Sequence, residues 1–374
     1  MTTHRDSRRR CYYSDYLRLE SLLAQQVRES ERIGAPAHDE MLFIIVHQAY
    51  ELWFKLILHE LDRIQEDFGA DVVEDDRLGR VVHGLARINE IVALLVHQLD
   101  VLETMTPLDF LDFRDLLTPA SGFQSVQFRL IEIRLGLRFE GRLKLDDTRF
   151  DLQLSERDRR RVAEVERGDT LVDQLDRWLA RTPFVELSGY AFSKAYREAV
   201  ALSLAADSEL IRTAEGMSES QRDAETRAID TALARFNAIF QPQAEPSPPS
   251  PPSPPSPWRM SLAAVQAALF ITVYRDEPVL QLPFRLLTAL MDIEETLTLW
   301  RYRHALMVRR MIGVKVGTGG SSGYDYLKQT ADRHQIFGDL FQLSNYLIPR
   351  SLIPPLPPAV RARMGFVYSE RTQQ

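Results

Sequence analysis

Cysteine is almost missing from this sequence, in which Cys11 stands alone among 374 residues. One cysteine cannot form a disulfide within the chain, so the disulfide-stapled secreted domains are excluded as a class. Such cysteine usage is typical of proteins from the reducing cytosol. We therefore expect a cytoplasmic protein with a large apolar core, for which 45% hydrophobic residues are sufficient.

A surplus of positive charge is also lacking. Lysine and arginine number 46 against 53 aspartate and glutamate residues, which gives a formal net charge of −7. Nucleic-acid-binding proteins usually have a basic surplus or a basic stripe, and the only dense basic run here is residues 8–10. That run is more simply a solvated tail than a binding patch. No nucleic-acid partner is expected.

Long apolar runs without charge are lacking as well. The most apolar stretch, residues 41–58, contains His47, Glu51 and Lys55. A helix that spans a bilayer needs about 20 residues and seldom carries three such groups. No apolar segment with a cleavage site indicates a signal peptide near the N-terminus. These patterns predict a buried helix of a soluble protein and no membrane partner.

Alternating strand patterns are scarce, whereas apolar residues recur at helical spacing along most of the chain. We therefore predict an all-α fold, a large helical bundle with long core helices. Pro107 and Pro283 suit first helical positions, and Gly313 suits the end of a long helix. The predicted helices cover residues 13–25, 39–68, 77–104, 107–117, 122–136, 156–180, 188–217, 220–240, 261–274, 283–312 and 324–343.

One segment interrupts the helical pattern. Residues 241–257, QPQAEPSPPSPPSPPSP, hold nine of the twenty prolines of the chain. This composition cannot form a helix and predicts an extended, polyproline-like spacer. Two interpretations stay open, a ligand for an SH3-type domain or a low-complexity insertion in a surface loop, of which the second is the simpler. The helices on both sides are interpreted as parts of one core.

Three familiar metal-binding patterns are absent from the sequence. The HExxH pattern does not occur, because His38-Asp39-Glu40 is not followed by a second histidine. No histidine has a glutamate three residues before it, which disfavours a di-iron site of the ferritin type. The Cys-x-x-Cys-His motif of covalently attached haem needs two cysteines. A single imidazole remains competent to bind a metal, and a haem needs only one proximal ligand.

Two of the eight histidines occupy the apolar faces of long predicted helices. His47 lies one helical turn from Phe43, and His304 lies one turn from Trp300. A lone histidine on an apolar face is more often a satisfied core residue than a ligand. Taken singly, neither histidine identifies a site.

The stretch LDFLDFRDLL places Phe110 and Arg114 one helical turn apart. An aromatic ring beside a guanidinium group is a suitable grip for an aromatic amino acid with a free carboxylate. The ordinary alternative is a surface ion pair between Arg114 and either Asp109 or Asp115.

A glycine-rich stretch, GTGGSSG at residues 317–323, could hold an anion through its backbone N–H groups. It lacks the lysine of a Walker A loop and follows a helix rather than a strand, which disfavours a nucleotide site. A flexible loop or lid with glycine hinges is the better interpretation.

Eight segments form a set that is spread over the chain and covers more than a third of it. They are YSDYLRLESLL (residues 13–23), HDEMLFIIVHQAYELWFKLILHELD (38–62), LETMTPLDFLDFRDLLTPASGFQSVQFRLIE (102–132), WLARTP (178–183), YRDEP (274–278), PFRLLTALMDIEETLTLWRYRHALMVRRMIG (283–313), GTGGSSGYDYL (317–327) and DLFQLSNYLIPR (339–350). In this order, the set resembles the tryptophan 2,3-dioxygenase family.

The resemblance implies a haem b enzyme with one haem per subunit, ferrous in the active form. Its substrates would be L-tryptophan and O2. It would cleave the indole C2–C3 bond to give N-formyl-L-kynurenine, the first step of tryptophan catabolism by the kynurenine pathway. The alternative is a related haem monooxygenase or hydroxylase that acts on a modified aromatic amino acid.

The resemblance also implies roles for individual residues. His304 would be the proximal ligand of the haem iron, and His47 the distal catalytic histidine beside the indole N–H. Arg114 would hold the substrate carboxylate. The other residues expected to bind substrate are Phe43, Phe110, Ser121, Thr318, Tyr13, Tyr16 and Leu17.

The last three of these residues match an arm that, in this family, reaches into the pocket of a neighbouring subunit. We therefore expect residues 1–36 to form an N-terminal arm, helical over 13–25, and residues 37–374 to form one helical haem-binding domain interrupted by 241–257. The expected assembly is a homotetramer, a dimer of dimers. Residues 137–156 and 204–258 match the family weakly, which puts subunit packing in doubt more than catalysis.

Overall fold

The computed structural model describes residues 11–70, 72–138, 154–187, 189–240, 258–313 and 323–365. Within these ranges the only strands are β1 (Glu186–Leu187) and β2 (Tyr190–Ala191), a single antiparallel pair. All the longer elements are helices. The prediction of an all-α fold is confirmed.

The helices fall into two stretches of the chain. The first contains α1 (Tyr13–Leu17), α2 (Leu19–Leu22), α3 (Glu29–Arg32), α4 (Glu40–Phe68), α5 (Asp75–Leu102), α6 (Pro107–Arg114), α7 (Val126–Leu135), α8 (Glu156–Glu166) and α9 (Leu171–Leu179), with 3₁₀ turns at Asp115–Leu117 and Gly122–Gln124. The second contains α10 (Phe192–Thr213), α11 (Glu219–Ile239), α12 (Leu262–Val273), α13 (Gln281–Ile312), α14 (Gly323–Arg333), α15 (Gly338–Gln342) and α16 (Pro358–Arg361), with 3₁₀ turns at Pro278–Leu280, Leu343–Tyr346 and Arg350–Leu352.

Helix α5 is the centre of the fold. Its buried residues recur every three or four positions from Leu78 to Leu102, because this spacing keeps them on one side of a helix. The closest helix packing in the described part of the chain is that of α5 against α13 and against α4. Helices α4 and α13 have little backbone contact with each other. A space between them is therefore left for side chains or a ligand.

Helices α4 and α13 run in opposite directions past this space. Phe54 and Ile57 of α4 lie in the same layer as Trp300 and Ile293 of α13, so the residue number rises along one helix as it falls along the other. Two turns beyond this layer α4 reaches His47, and one turn beyond it α13 reaches His304. The two histidines are thus brought to the same end of the helix pair.

Two of the predicted helices are each divided in the structure. The prediction of one helix over 156–180 is wrong, because Thr170 begins α9 with a capping box to Asp173. The prediction of one helix over 324–343 is also wrong. There, the buried carboxylate of Glu294 on α13 accepts the backbone N–H groups of Ile336 and Phe337 at 2.6 and 2.9 Å, and the chain leaves the helix. The first break has a local sequence signal, whereas the second depends on a tertiary contact.

The predicted helix over 13–25 is also interrupted. Arg18 adopts a left-handed conformation, with φ of 53°, between α1 and α2. Neither short helix contains a buried residue, so no packing within the subunit enforces a continuous helix here. The helix predicted from residue 188 begins instead at Phe192, after the β1–β2 turn in which Gly189 has φ of +85°.

Other local predictions are confirmed. Pro107 lies in the first turn of α6, and Gly313 directly follows α13 with a positive φ. Pro283 is two residues inside α13, which begins at Gln281. Because a proline in the first turn removes no intrahelical hydrogen bond, this shift has no cost.

Among the described residues, α4 is long and apolar enough to cross a bilayer by length and composition, and α5 passes that test only together with residues 107–117, across a 92° bend. The interior helices of compact folds pass the same test. Tyr50, Phe54 and Ile57 of α4 belong to the main core cluster. The basic run at 8–10, the proline-rich segment 241–257 and the glycine-rich residues up to 322 lie outside the described residues.

Candidate active site

A cavity of about 300 Å³ lies between α4 and α13, closed by residues of α5, α6, α7 and α14. This volume is at the lower end of the range of about 300–1,000 Å³ that is typical of small-molecule sites. Most of its wall is aromatic or aliphatic. The residues predicted for the site that line it are Phe43, His47, Phe110, Arg114, Ser121 and His304.

His47 projects from α4 into this cavity with a defined tautomer. Its Nδ1 lies 2.7 Å from the carbonyl oxygen of Phe43, and a carbonyl can only accept, so Nδ1 carries the proton. In the neutral ring, Nε2 is then a hydrogen-bond acceptor. Burial lowers the pKa of His47 from its ordinary 6.5, against the opposing effects of the Phe43 hydrogen bond and the Glu51 carboxylate. The ring is therefore neutral at pH 7.

Phe43 and Phe110 form the apolar wall next to His47, with Phe113 packed behind them. The ring of Phe43 lies 4.0 Å from the imidazole and 5.8 Å from the ring of Phe110, centroid to centroid. Phe113 packs edge-on against both phenylalanines, at 5.6 and 5.4 Å. Offset and edge-to-face contacts of this kind hold aromatic rings in place. The wall therefore presents flat apolar surface to a planar ligand.

Arg114 ends α6, whose start is fixed by a capping box between Thr106 and Asp109. The Arg114 side chain is 16% exposed, whereas its neighbour Asp115 is 96% exposed, and their closest charged atoms are 3.9 Å apart. The pairing with Asp115 that the sequence left open is therefore long and faces solvent. The guanidinium group lies at the cavity wall, where an anionic ligand can reach it.

Ser121 caps the 3₁₀ turn Gly122–Gln124, so its backbone geometry is fixed by its own local hydrogen bonds. Next to it, the Glu51 carboxylate accepts hydrogen bonds from Ser125 at 2.6 Å and from Gln127 at 2.8 Å. Glu51 joins α4 to the turn before α7 and also lines the cavity. Its position one turn after His47 was visible in the sequence, but its partners were not.

His304 faces the same cavity from α13. Protein surrounds the imidazole and only its cavity side is accessible, and this burial lowers its pKa to about 4, with a smaller effect from His47. The indole ring of Trp300 stacks on it at 5.4 Å with an interplanar angle of 10°. Within the described residues, no group of three or more histidine, cysteine or acidic side chains forms a metal site. His304 itself offers a metal one imidazole at the cavity wall.

A buried charged cluster forms another part of the cavity wall. The carboxylate of Glu132 accepts hydrogen bonds from Arg129 at 3.0 Å and from Arg301 at 3.1 Å. Arg301 also donates to the carbonyl of His334 at 3.1 Å. The cluster joins α7 to α13 at the cavity wall. Sequence reasoning missed this cluster, because nothing distinguishes these arginines from the others until α7 and α13 are packed together.

Three other predicted site residues are not brought to the cavity. Tyr13 and Tyr16 are each 75% exposed and Leu17 is also exposed, and none of the three lines the cavity. Thr318 lies outside the described residues. Their roles stay predictions.

Comparison with known proteins adds an independent line of information. Residues 1–347 match a family described as tryptophan 2,3-dioxygenase. A protein of that name from Alteromonas mediterranea is 44% identical over 95% of this chain and 97% of its own length. Those from Bdellovibrio bacteriovorus and Dictyostelium discoideum are 46% and 43% identical, each over 96% of this chain and over 98% and 89% of their own lengths.

Proposed function

Because the chain belongs to the tryptophan 2,3-dioxygenase family, we propose that it cleaves the indole C2–C3 bond of L-tryptophan with O2. The product is N-formyl-L-kynurenine. The observation that carries the proposal is the cavity, where two neutral imidazoles from different helices meet an apolar aromatic wall and a guanidinium group. The aromatic wall fits the planar ring of an aromatic amino acid, and the guanidinium group fits its free carboxylate.

The residues present fit a b-type haem. His304 supplies the one imidazole that such a group needs, in the neutral form that binds a metal. Arg129 and Arg301 also line the cavity, where guanidinium groups would donate hydrogen bonds to the carboxylates of the haem. When bound, ferrous haem supplies the iron at which O2 reacts. We propose that His304 is its ligand.

The substrate would be held at both ends by residues of this chain. Arg114 binds the carboxylate through charge-assisted hydrogen bonds, with Ser121 beside it. Phe43 and Phe110 enclose the indole ring and exclude water from it. This arrangement restricts the position of C2 and C3, and positioning of this kind is a large source of rate enhancement.

His47 acts as a hydrogen-bond acceptor in this proposal. Because its Nδ1 proton is held by the Phe43 carbonyl, Nε2 can accept the indole N–H. The lowered pKa keeps this nitrogen free of a proton at pH 7. His47 thus orients the indole without removing its proton.

The N-terminal arm, residues 1–36, is proposed to complete the pocket of a neighbouring subunit in a homotetramer. Tyr13, Tyr16 and Leu17 are exposed apolar side chains with no core of their own to cover them. The base of the arm is tied down, since the buried Glu40 accepts the backbone N–H groups of Glu29 and Ser30 at 2.7 and 3.0 Å. Gln48 of α4 also accepts a hydrogen bond from the Gln26 side chain at 2.6 Å and donates to the Gln25 carbonyl at 3.0 Å, and the described residues 11–24 extend beyond this anchor.

Product analysis with labelled oxygen tests the proposed reaction. Haem-loaded ferrous protein is mixed with L-tryptophan without air and then exposed to ¹⁸O2. We expect N-formyl-L-kynurenine with two labelled oxygen atoms. A product with one added labelled oxygen would contradict the proposal and support the monooxygenase alternative, which family membership does not favour.

A further inference from the structure

The floor of the cavity is formed by side chains that have no role in the proposed function. Tyr50 and Phe54 of α4, Phe128 of α7 and Trp300 of α13 all line the cavity. Phe54, Phe128 and Trp300 also line the tightly packed layer beneath it. Tyr50 and Trp300 thus lie between the packed layer and the part of the cavity that contains the two histidines.

Two neighbouring residues, Phe128 and Tyr50, hold the Trp300 side chain in place. Its ring lies 5.0 Å from the ring of Phe128 and 6.2 Å from that of Tyr50, centroid to centroid. Its Nε1–H donates a long hydrogen bond of 3.4 Å to the Tyr50 hydroxyl. The Tyr50 hydroxyl in turn donates to the backbone carbonyl of Leu95 on α5 at 2.7 Å. These contacts connect the indole to the most closely packed helix of the fold.

The Trp300 ring also contacts His304, and this contact links the hydrogen-bonded tyrosine to the histidine. The His304 imidazole stacks on the indole almost in parallel, at 10°. Because the two residues are four apart on one helix, their backbone separation is fixed, and rotation of the imidazole about Cβ–Cγ would drive it into the indole. The stacking contact therefore restrains the plane of the imidazole.

We propose that Tyr50 and Trp300 are positioning residues for His304, which set the ring plane of the iron ligand through a chain that starts at the Leu95 carbonyl. The inference rests on the proposed function, in which His304 binds haem. Residues behind a metal ligand fix its orientation, and their loss commonly lowers metal affinity about 10- to 100-fold. A tyrosine and a tryptophan on two helices would do this without contacting the iron.

The test uses conservative variants of the full-length, haem-loaded protein. Trp300→Phe keeps an aromatic ring and removes the N–H donor, whereas Tyr50→Phe removes only the hydroxyl. Tyr196→Phe is the matched control, because its buried hydroxyl also donates to a backbone carbonyl, that of Tyr346, at 2.7 Å, and it is not part of the cavity wall. The readouts are the iron–histidine stretching band of the ferrous protein by resonance Raman and the rate of haem transfer to apomyoglobin.

We expect the band to shift and broaden in Trp300→Phe, with haem released about 10-fold faster. Tyr50→Phe should change both readouts in the same direction, but to a smaller extent than Trp300→Phe. The double variant should resemble Trp300→Phe alone, because Tyr50 acts through Trp300. Tyr196→Phe should lose thermal stability as Tyr50→Phe does, since each variant loses one buried hydrogen bond to a backbone carbonyl, but it should leave the band unchanged.

Bands and release rates identical to those of the wild type in both Tyr50→Phe and Trp300→Phe would overturn the inference. If Trp300→Phe does not fold, the comparison of Tyr50→Phe with Tyr196→Phe decides it in the same way. Failure of the wild-type protein to show an iron–histidine band would instead refute the proposed function, and this inference with it.

Discussion

The cavity and the N-terminal arm use similar side chains in opposite surroundings. In the cavity, Phe43 and Phe110 pack against other rings of their own subunit. In the arm, Tyr13 and Tyr16 are each 75% exposed, and no residue of α1 or α2 is buried. The difference teaches that contacts within one subunit account for the geometry of the cavity wall, whereas the exposed side chains of the arm are not packed by their own subunit.

The largest effect is expected where the cavity depends on one side chain. His304→Ala should leave a helical protein that does not retain haem, because a b-type haem is held only by axial ligation and packing, and His304 is the proposed iron ligand. The absorption spectrum of the purified, reconstituted protein measures this. His97→Ala is the control, since His97 is 78% exposed on α5. Wild-type haem content and an unchanged ferrous spectrum in His304→Ala would refute the ligand assignment.

The second effect concerns the charged end of the cavity. Arg114→Ala should lower kcat/KM for tryptophan about 10- to 200-fold, from the loss of about 1.5–3 kcal/mol of charged hydrogen bonding. Tryptamine, which lacks the carboxylate, should be a poor substrate for both proteins and lose little. Arg212→Ala, at a 70% exposed arginine paired with Glu209, should change neither value. Equal losses for tryptophan and tryptamine would exclude a carboxylate role for Arg114.

The third effect tests whether the arm belongs to the site at all. Tyr16→Ala/Leu17→Ala should weaken tryptophan use about tenfold, as expected when anchoring side chains of an interface are truncated. Haem content should stay normal. The control Leu202→Ala/Leu210→Ala removes two exposed leucines from α10 and should have no effect.

Mixing of the two weakened variants then tests whether the arm and the cavity of one site come from different subunits. Tetramers reassembled from Arg114→Ala and Tyr16→Ala/Leu17→Ala chains would contain some pockets with both lesions and some with neither if the arm crosses between subunits. Part of the activity should return. No recovery in verified mixed oligomers would mean that each chain completes its own pocket.

The smallest effect is expected at His47. If its Nε2 only accepts the indole N–H, His47→Ser should keep measurable turnover, and 1-methyltryptophan should be affected less than tryptophan. Because burial lowers its pKa, the neutral acceptor persists below pH 6.5, and kcat/KM should fall only at more acid pH. His47→Ser should lack this acid limb. A complete loss of turnover with haem and tryptophan still bound would indicate an obligatory base.

Much of the helical framework was predictable because its signals are local. The apolar spacing of α4, α5 and α13 and the position of Pro107 in α6 are properties of neighbouring residues. The capping box at Thr170 is also local, although the continuous helix predicted over 156–180 overlooked it. The break near Ile336 was not predictable in this way, because it requires a carboxylate from a distant helix.

The candidate site, like the helices, was predictable only where its signals are local. The residues Phe43, His47, Phe110, Arg114 and His304 were found from helical spacing together with resemblance, and the structure brings all five to one cavity. The division into arm and single domain, and the roles of Thr318 and of the arm, stay predictions.

The sequence by itself determined which residues share a helix face, because 3.6 residues per turn relates neighbours in the chain without reference to the rest of the fold. Only the tertiary structure decided which faces meet. The pairing of Arg301 with Glu132, the link from Leu95 through Tyr50 to Trp300 and the role of Glu51 all join residues that are far apart in the chain. Such contacts follow from the packing of α4 and α13 on α5, and no local pattern contains them.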